Sequence, residues 1–145
     1  MPLFSTDSKV QALSRAPLFE GLSRGELEEL AKVTEDLDDE AGKVLCREGE
    51  TAREFFVIIE GEVGVAKAGE EIRTLGNGDF FGEIGLLEDV PRTATVTAKS
   101  PIRYFVLTRQ SFRSLLDRQT EIERKVMRAF ADRVRPSLSR DPTTA

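Results

Sequence analysis

The feature that most limits how this chain can fold is a series of short β-forming runs separated by glycine-containing turns. Residues 55–59 form a continuous apolar run of aromatic and β-branched side chains, a composition typical of strands. Further strands are predicted at residues 63–66, 72–75, 93–98 and 102–107, with a strand-like stretch at 43–46. Short strands connected by such turns predict a mainly β fold, built as an antiparallel roll or barrel.

A helical pattern precedes the β region. Val10 and Leu13 indicate a short helix that ends before Pro17, because a proline restricts the backbone of the residue ahead of it. Ser23 and Glu26 have the spacing of a capping box, which predicts that a second helix begins there. The apolar positions that follow recur at steps of three and four residues, so one face of this helix is expected to be buried.

The apolar spacing becomes helical again after the β region. Thr108 is a candidate cap for a short helix, and a longer helix is predicted to follow from Thr120 and to end at Pro136, since proline removes a backbone donor. A length of 145 residues is enough for one domain with its own core. We therefore predict a single domain over residues 1–136 and a polar, disordered tail over residues 137–145.

The composition argues against several classes of function. The net charge of −5 is unfavourable for direct binding to nucleic acid. There is no apolar run long enough to span a membrane, and no signal-peptide pattern at Met1. The single cysteine, Cys46, cannot form an internal disulfide. We expect it to be an inert, buried thiol in a cytoplasmic protein.

The sequence contains no histidine, which bears on catalysis. Jelly-roll-like β proteins that are enzymes often bind a metal through histidines. With no histidine and one cysteine, the usual nucleophile–base pairs also lack their members. We therefore expect a protein that is not an enzyme and that uses neither a metal nor a cofactor.

Residues 80–96 combine a turn, a short helix, an arginine and an alternating strand. A helix that begins near Glu83 exposes unpaired N–H groups, which favour an anion. Arg92 follows closely enough to bind the same anion through a charge-assisted, bidentate contact. A carboxylate at Glu83 would repel that anion, but it suits a neutral hydroxyl pair such as that of a ribose. Together these groups predict a site for a nucleotide monophosphate.

Both charged residues have a purely structural alternative. Arg92 taken in isolation is a surface arginine paired with Glu88 or Asp89, as exposed ion pairs are common and contribute little. Glu83 taken in isolation is a carboxylate stabilised by the partial positive charge of a helix N-terminus. The agreement of residue type and spacing across the whole segment favours phosphate binding.

This segment resembles the phosphate-binding cassette of cyclic nucleotide-binding domains, and the likeness extends over residues 18–133. It is carried by Phe81-Gly82-Glu83-Ile84-Gly85-Leu86-Leu87 and by Arg92-Thr93-Ala94-Thr95-Val96. The resemblance implies that Glu83 binds the ribose hydroxyl and that Arg92 binds the cyclic phosphate. Backbone N–H groups of the cassette would complete the phosphate site, at Gly82, Ile84, Gly85, Thr93 and Ala94. The implied fold is a jelly-roll-like antiparallel β-roll, a double-stranded β-helix, with N-terminal helices, a short cassette helix and C-terminal helices.

The same resemblance implies further ligand contacts. Val65, Leu75, Phe81 and Leu86 are candidates for the core first, and some of them would form the apolar wall beside the base. Arg133 lies on the apolar side of the last predicted helix, and the resemblance implies that it covers the base. The alternative is a solvent-facing residue near the helix C-terminus, where a cation is favourable.

Thr93 bears on which nucleotide binds. In the family, a threonine at this position can contact the amine of guanine, although in bacterial-type sequences it also occurs with cAMP. We predict cAMP as the ligand, with cGMP as the alternative.

The predicted function is a cyclic nucleotide sensor whose last helix closes over the ligand and which regulates a separate effector protein. No kinase, channel or DNA-binding segment is recognisable in the sequence. The alternative hypothesis is a fold that has lost ligand binding and acts as a protein-interaction module. The start at Met1 and the polar tail indicate a stand-alone chain, with an excised regulatory domain as the alternative. A monomer is favoured because Pro136 shortens the last helix.

Overall fold

The computed structural model describes residues 6–139, which form two four-stranded antiparallel sheets with helices before and after them. The helices are α1 (Thr6–Ser14), α2 (Arg24–Val33), α3 (Glu83–Glu88), α4 (Arg109–Arg118) and α5 (Thr120–Ser139), with a 3-10 turn at Pro17–Phe19. The strands are β1 (Glu35–Asp39), β2 (Val44–Cys46), β3 (Glu54–Glu60), β4 (Val63–Lys67), β5 (Glu70–Leu75), β6 (Phe80–Phe81), β7 (Thr95–Ala98) and β8 (Ile102–Thr108). The first sheet has the order β1-β8-β3-β6 and the second β2-β7-β4-β5. The predicted antiparallel β-roll with flanking helices is confirmed.

The apolar run at residues 55–59 is the middle of β3, and all five of its side chains are buried. Successive side chains of a strand point to opposite faces of the sheet. Phe55 and Val57 pack into the core on the helical side, whereas Phe56 and Ile58 pack into the core between the two sheets. The run is continuous because β3 is buried on both faces.

The helices on the outer face of the first sheet begin at the caps that the sequence indicates. The Ser23 hydroxyl accepts a hydrogen bond from the Glu26 N–H, and the Glu26 carboxylate accepts one from the Ser23 N–H at 2.8 Å, so the capping box is confirmed. The Thr108 hydroxyl caps α4 by accepting from the Ser111 N–H at 3.1 Å. These caps satisfy backbone donors that the first turn of a helix leaves free.

The first strand was not delimited by the sequence, because β1 is acidic and has only Leu37 as an apolar residue. Its side chains are instead tied to β8 by polar contacts. Arg103 forms a nearly buried ion pair with Asp36, at 2.9 Å for the closer contact. The Tyr104 hydroxyl donates to the Asp39 carboxylate at 2.5 Å. Pairing with β8 therefore decides the conformation of a segment whose composition is poor for a strand.

The main differences from the sequence predictions are two element boundaries and the burial of Cys46. The last helix does not end at Pro136 but continues to Ser139, since a proline removes one hydrogen bond from a helix that already has sixteen preceding residues. Residues 140–145 of the predicted tail lie outside the described residues. The strand predicted from Thr93 begins at Thr95, and the Cys46 thiol is half-buried rather than buried. None of the helices between residues 6 and 139 combines the length and the apolar character that crossing a bilayer requires.

Candidate functional site

A cavity of about 350 Å³ opens beside the second sheet, and we call it the central cavity. It is bounded by β4, β5, the start of α3, the segment after Arg92, and α5. Its lining residues are Cys46, Val65, Lys67, Ala68, Glu70, Ile72, Arg73, Leu75, Phe81, Gly82, Glu83, Ile84, Gly85, Arg92, Thr93, Ala94, Val96 and Arg133. All of the site residues predicted from the sequence line it except Leu86. The fold thus brings together predicted site residues that lie up to 68 positions apart in the chain, between Val65 and Arg133.

The Arg92 side chain is buried in the wall of this cavity, with 7% of its surface exposed. Its Nη1 donates to the Gly82 carbonyl oxygen at 3.2 Å, and its Nη2 donates to the Glu54 carbonyl oxygen at 2.7 Å. The guanidinium also lies 5.5 Å from the centre of the Phe56 ring, a favourable cation–π distance. Two carbonyls and one ring therefore fix the guanidinium in a single orientation.

No carboxylate among residues 7–133 forms an ion pair with Arg92. The structural alternative, pairing with Glu88 or Asp89, is not what the structure contains. Asp89 pairs with Arg109 at 2.5 Å instead, and the Arg109 guanidinium holds the pKa of the Asp89 carboxyl below its usual value. Arg92 is thus a buried cation that faces the cavity and that has no ion-pair partner among the described carboxylates.

Gly82 connects β6 to α3 in a backbone conformation that favours glycine, with φ of +98° and ψ of −2°. A Cβ atom at this position would lie 2.9 Å from Arg92 Nη1 and 2.9 Å from the Glu54 carbonyl oxygen. Because Gly82 has no side chain, the Arg92 guanidinium can lie against its backbone. The glycine is required both for the turn and for the position of the cation.

We expect Gly82→Ala to lower the free energy of unfolding by about 2 to 3 kcal/mol, because strain at positive φ adds to the clash of the new methyl group. The displaced Arg92 should also weaken ligand binding. The matched control is Gly42→Ala, since Gly42 has φ of +96° but no atom within 4 Å of the added Cβ. That variant should lose only about 1 kcal/mol. Urea unfolding of both proteins checks this, and equal losses would contradict the role assigned to the close contact.

Glu83 is the first residue of α3, and only 1% of its surface is exposed. One carboxylate oxygen, Oε2, accepts a hydrogen bond from the Ile84 N–H at 3.2 Å. The other, Oε1, accepts from Arg133 Nη1 in a short ion pair. Burial raises the pKa of the Glu83 carboxyl, and the nearby Arg133 guanidinium opposes that shift. The carboxylate therefore lies at the cavity wall with both oxygens already in contact with protein donors.

Arg133 projects from α5 onto the start of α3. Besides its contact with Glu83, its Nη2 donates to the Phe80 carbonyl oxygen at 2.6 Å, and the guanidinium lies 5.0 Å from the centre of the Phe80 ring. The side chain is 14% exposed, so the alternative of a solvent-facing residue is wrong. Burial lowers the pKa of the Arg133 guanidinium, and the Glu83 carboxylate counteracts this. The role of Arg133 as a cover for the base stays a prediction.

Leu86 is the one predicted site residue that does not line the central cavity. Its side chain is 1% exposed and packs into the core on the helical side. α3 thus presents Glu83, Ile84 and Gly85 to the cavity and Leu86 to the protein interior. The division follows position along the helix, because the three residues that line the cavity are the first three of α3.

Several lining residues were not predicted from the sequence, and three of them carry a charge: Lys67, Glu70 and Arg73. Arg73 lies on β5, and its guanidinium has no hydrogen-bond or ion-pair partner among the described residues. Strand alternation could have indicated it, since Arg73 is two residues before Leu75, which was predicted to line the site. Cys46 also lines the cavity, and burial raises the pKa of its thiol. Its position depends on the pairing of β2 with β7, which the sequence does not reveal.

The side chains described between residues 7 and 133 contain no cluster of three or more histidine, cysteine, aspartate or glutamate residues arranged to hold a metal ion. The polar groups at the central cavity are instead guanidinium, carboxylate, hydroxyl and backbone N–H groups. These groups are suited to an anion joined to a neutral polar group.

Known proteins are similar to this chain over the region that contains most of the central cavity. The family model for the cyclic nucleotide-binding domain matches residues 40–119. The chain is 38% identical over 106 residues to the cAMP-dependent protein kinase regulatory subunit of Yarrowia lipolytica. The aligned region covers 72% of this chain and 28% of that protein. It is 36% identical over 114 residues to the cGMP-dependent protein kinase egl-4 of Caenorhabditis briggsae. This aligned region covers 74% of this chain and 15% of that protein.

Similarity also extends to solved structures. The structure of cAMP-bound PfPKA-R (141–441) has a TM-score of 0.81 and 28% sequence identity, and the match covers 96% of this chain and 49% of that chain. The chain spans less than a third of the length of the two curated relatives described above. The likeness therefore concerns one domain of larger proteins.

Proposed function

Because the chain belongs to the cyclic nucleotide-binding domain family, we propose that it binds a cyclic nucleotide in the central cavity and acts as a regulatory domain rather than as an enzyme. The expected ligand is cAMP, which is bound in the similar PfPKA-R structure, and cGMP is the alternative. The proposed site uses neither a metal nor a cofactor, and the proposed location is the cytoplasm.

The observation that carries this proposal is the buried, unpaired cation at Arg92. Its guanidinium lines the cavity and is held by two carbonyl oxygens, with no carboxylate partner among residues 7–133. Removing a cation from water is unfavourable unless an anion or hydrogen bonds compensate. A cyclic phosphate would supply the missing charge. Backbone N–H groups near Gly85 and Ala94 would add donors to the same phosphate.

The ribose and the base would occupy the rest of the cavity. Glu83 is proposed to accept a hydrogen bond from a ribose hydroxyl, which is a neutral donor and does not repel a carboxylate. Val65 and Leu75 line the cavity on the paired strands β4 and β5, and they would form the apolar wall beside the base. Thr93 also lines the cavity and would contribute to the choice between adenine and guanine.

The proposed signal is a change in the position or the stability of α5. Through Arg133 this helix reaches the cavity wall, and through Lys125, whose Nζ donates to the Pro17 carbonyl oxygen at 2.8 Å, it reaches the N-terminal helical region. A ligand that binds better when α5 covers the cavity shifts the protein toward that state, by as much as its affinity differs between the two states. A separate effector protein, or another part of a longer chain, would respond to this shift.

A thermal unfolding experiment tests the proposed function. Ligand-stripped protein is heated alone and with cAMP, cGMP or linear 5′-AMP. The ligand that binds the folded state at about 100 times its Kd should add about 2.7 kcal/mol to the free energy of unfolding. We expect this increase with a cyclic nucleotide and little or none with 5′-AMP. No increase with either cyclic nucleotide, from a protein that is folded and empty, would instead favour a fold that docks a partner.

A further inference from the structure

Residues 82–92, which we call the cassette segment, carry the main polar groups of the proposed site, and α4 holds the far end of this segment. We propose that Arg109 and Arg113 of α4 are positioning residues: they fix the C-terminal end of α3, and thereby keep the start of α3 and Arg92 in place at the cavity. Neither arginine is among the residues that line the central cavity. The inference rests on the proposed function and adds two residues that affect ligand binding without touching the ligand.

The cassette segment is closed at its base by a contact between its two ends. Gly82 begins the segment and Arg92 ends it, and Arg92 Nη1 donates to the Gly82 carbonyl oxygen at 3.2 Å. The Arg92 backbone is fixed as well, because its N–H donates to the Glu50 carbonyl oxygen at 2.8 Å and its carbonyl oxygen accepts from the Gly49 N–H at 2.9 Å. These contacts fix the base of the segment, but none of them reaches residues 86–90.

The helix within the segment, α3, is too short to be stable by itself. It has six residues, and isolated helices shorter than about 12 residues are marginal in water. Its C-cap, Asp89, has a left-handed backbone conformation with φ of +55°, which costs free energy for a residue other than glycine. The Asp89 carboxylate also lies at the negative end of the helix dipole, where a negative charge is unfavourable. α3 therefore depends on contacts with the rest of the protein.

α4 supplies two of these contacts, both at the C-terminal end of α3. Arg109 Nη2 donates to the Asp89 carboxylate at 2.5 Å and so compensates the unfavourable charge. Arg113 Nη2 donates to the Leu86 carbonyl oxygen at 3.3 Å, which is one of the last four carbonyl groups of the helix and lacks a partner within it. Because the two arginines are four positions apart, they lie on the same face of α4. Two cations from one face of a longer helix thus hold the end of α3.

The start of α4 is anchored beside the groups that support the site. The Arg109 N–H donates to the Arg53 carbonyl oxygen at 2.9 Å. Both neighbours of Arg53 contact the cassette segment. Glu54 accepts from the cavity-lining guanidinium through its carbonyl oxygen, and Ala52 lies so close to Gly85 that an added Cβ there would be 2.5 Å from the Ala52 Cβ. α4 and the base of the cassette segment therefore share one support.

The ion pair between Arg109 and Asp89 contributes little to global stability, because the Arg109 side chain is 34% exposed and that of Asp89 is 76% exposed. Its effect is expected to be local. A surface segment can open without unfolding of the whole domain. The apparent affinity for a ligand falls in proportion to the fraction of protein whose site is in the competent conformation. The two arginines should therefore matter more for ligand binding than for global unfolding.

The first test is the affinity for cAMP of Arg109→Gln/Arg113→Met, which removes both contacts but keeps long side chains. We expect a loss of about five- to tenfold by calorimetry, with a midpoint of urea unfolding close to that of wild type. A variant with lysine at both positions retains the two cations and should recover most of the affinity. Arg118→Gln removes an exposed arginine from the same helix and should bind as wild type. Wild-type affinity in Arg109→Gln/Arg113→Met, or an equal loss in the lysine variant, would overturn the proposal.

A double-mutant cycle with Asp89→Asn tests the ion pair specifically. Asparagine also adopts the left-handed conformation, so this variant keeps the turn but removes the carboxylate that Arg109 compensates. Arg109→Gln should therefore weaken cAMP binding less in the Asp89→Asn protein than in wild type. Additive losses of affinity would overturn the role assigned to Arg109.

Hydrogen exchange in the ligand-free protein separates this inference from the proposed function. The Asp89 and Val90 N–H groups both donate to the Gly85 carbonyl oxygen, so their exchange rates report on opening at the end of α3. We expect both amides to exchange faster in Arg109→Gln/Arg113→Met than in wild type, while the amides of β3 keep their rates. Unchanged exchange at both amides, or faster exchange throughout the protein, would overturn the proposal. Failure of wild type to bind either cyclic nucleotide would refute the proposed function, and the exchange rates would then decide the role of the two arginines.

Discussion

Arg92→Ala is expected to weaken the binding of cAMP by about 100-fold or more. The variant removes a guanidinium that would form two charge-assisted hydrogen bonds to the phosphate in a largely buried site, and each such bond contributes about 1.5 to 3 kcal/mol. Among residues 7–133, no other cation holds the position fixed by the Gly82 and Glu54 carbonyl oxygens. Isothermal titration calorimetry of the ligand-stripped variant measures the loss.

The same substitution leaves two carbonyl oxygens without their donors, so the stability of the variant must be measured alongside its affinity. Arg92→Lys is a useful intermediate, since it keeps the charge but cannot donate in the same bidentate geometry. Arg128→Ala removes an exposed arginine and should bind as wild type. A folded Arg92→Ala protein whose affinity lies within about twofold of wild type would refute the phosphate role, because the loss of a bidentate, charge-assisted contact should weaken binding by much more than that.

Phe55→Ala should lower the free energy of unfolding by about 3 to 5 kcal/mol, which is a large part of the 5 to 15 kcal/mol typical of a domain. Phe55 is fully buried in β3, and its ring stacks on that of Phe112 of α4 with 4.3 Å between centroids. It also lies 5.5 Å from the Phe80 ring. Truncation therefore opens a cavity where the first sheet meets the helices. Urea unfolding monitored by circular dichroism measures the change.

Val33→Ala is the matched comparison for Phe55→Ala, because Val33 is an apolar residue of α2 that is 45% exposed. Its loss should change the free energy of unfolding by about 0.5 kcal/mol or less. The loss in free energy of unfolding for Phe55→Leu should lie between the losses for these two variants. If Phe55→Ala and Val33→Ala unfold at the same urea concentration, Phe55 does not have the place in the core that its contacts indicate.

Much of the fold could be predicted from local pattern. The continuous apolar run at residues 55–59 required a strand buried on both faces, and β3 lies between helices on one side and the second sheet on the other. The capping box at Ser23 fixed the start of α2 because the two hydrogen bonds involve residues three apart. Features of this kind depend on residues that are close together in the sequence, so they can be identified without knowledge of the fold.

Other features depend on residues that meet only after folding. β1 is too acidic to be identified as a strand by composition, and its pairing with β8 places Asp36 against Arg103. In the same way, the segment around Glu83 and Arg92 could be identified as a candidate anion site, but the partner of Glu83 could not. Arg133 reaches it from a helix that begins after the β-roll is complete. The residues of a candidate site can be identified from a motif, whereas the contacts between them that depend on the fold cannot.

Calorimetric titration of ligand-stripped wild-type protein with cAMP, and then with cGMP, tests the central claim most directly. Stripping is necessary because nucleotide carried through purification would hide the site. We predict one-to-one binding with a Kd of about a micromolar or tighter, equivalent to about −8 kcal/mol, with cAMP the tighter ligand. The ratio of the two affinities also decides between cAMP and cGMP, a choice that Thr93 leaves open. The absence of binding by both nucleotides, from a protein shown to be folded and empty, would contradict the account.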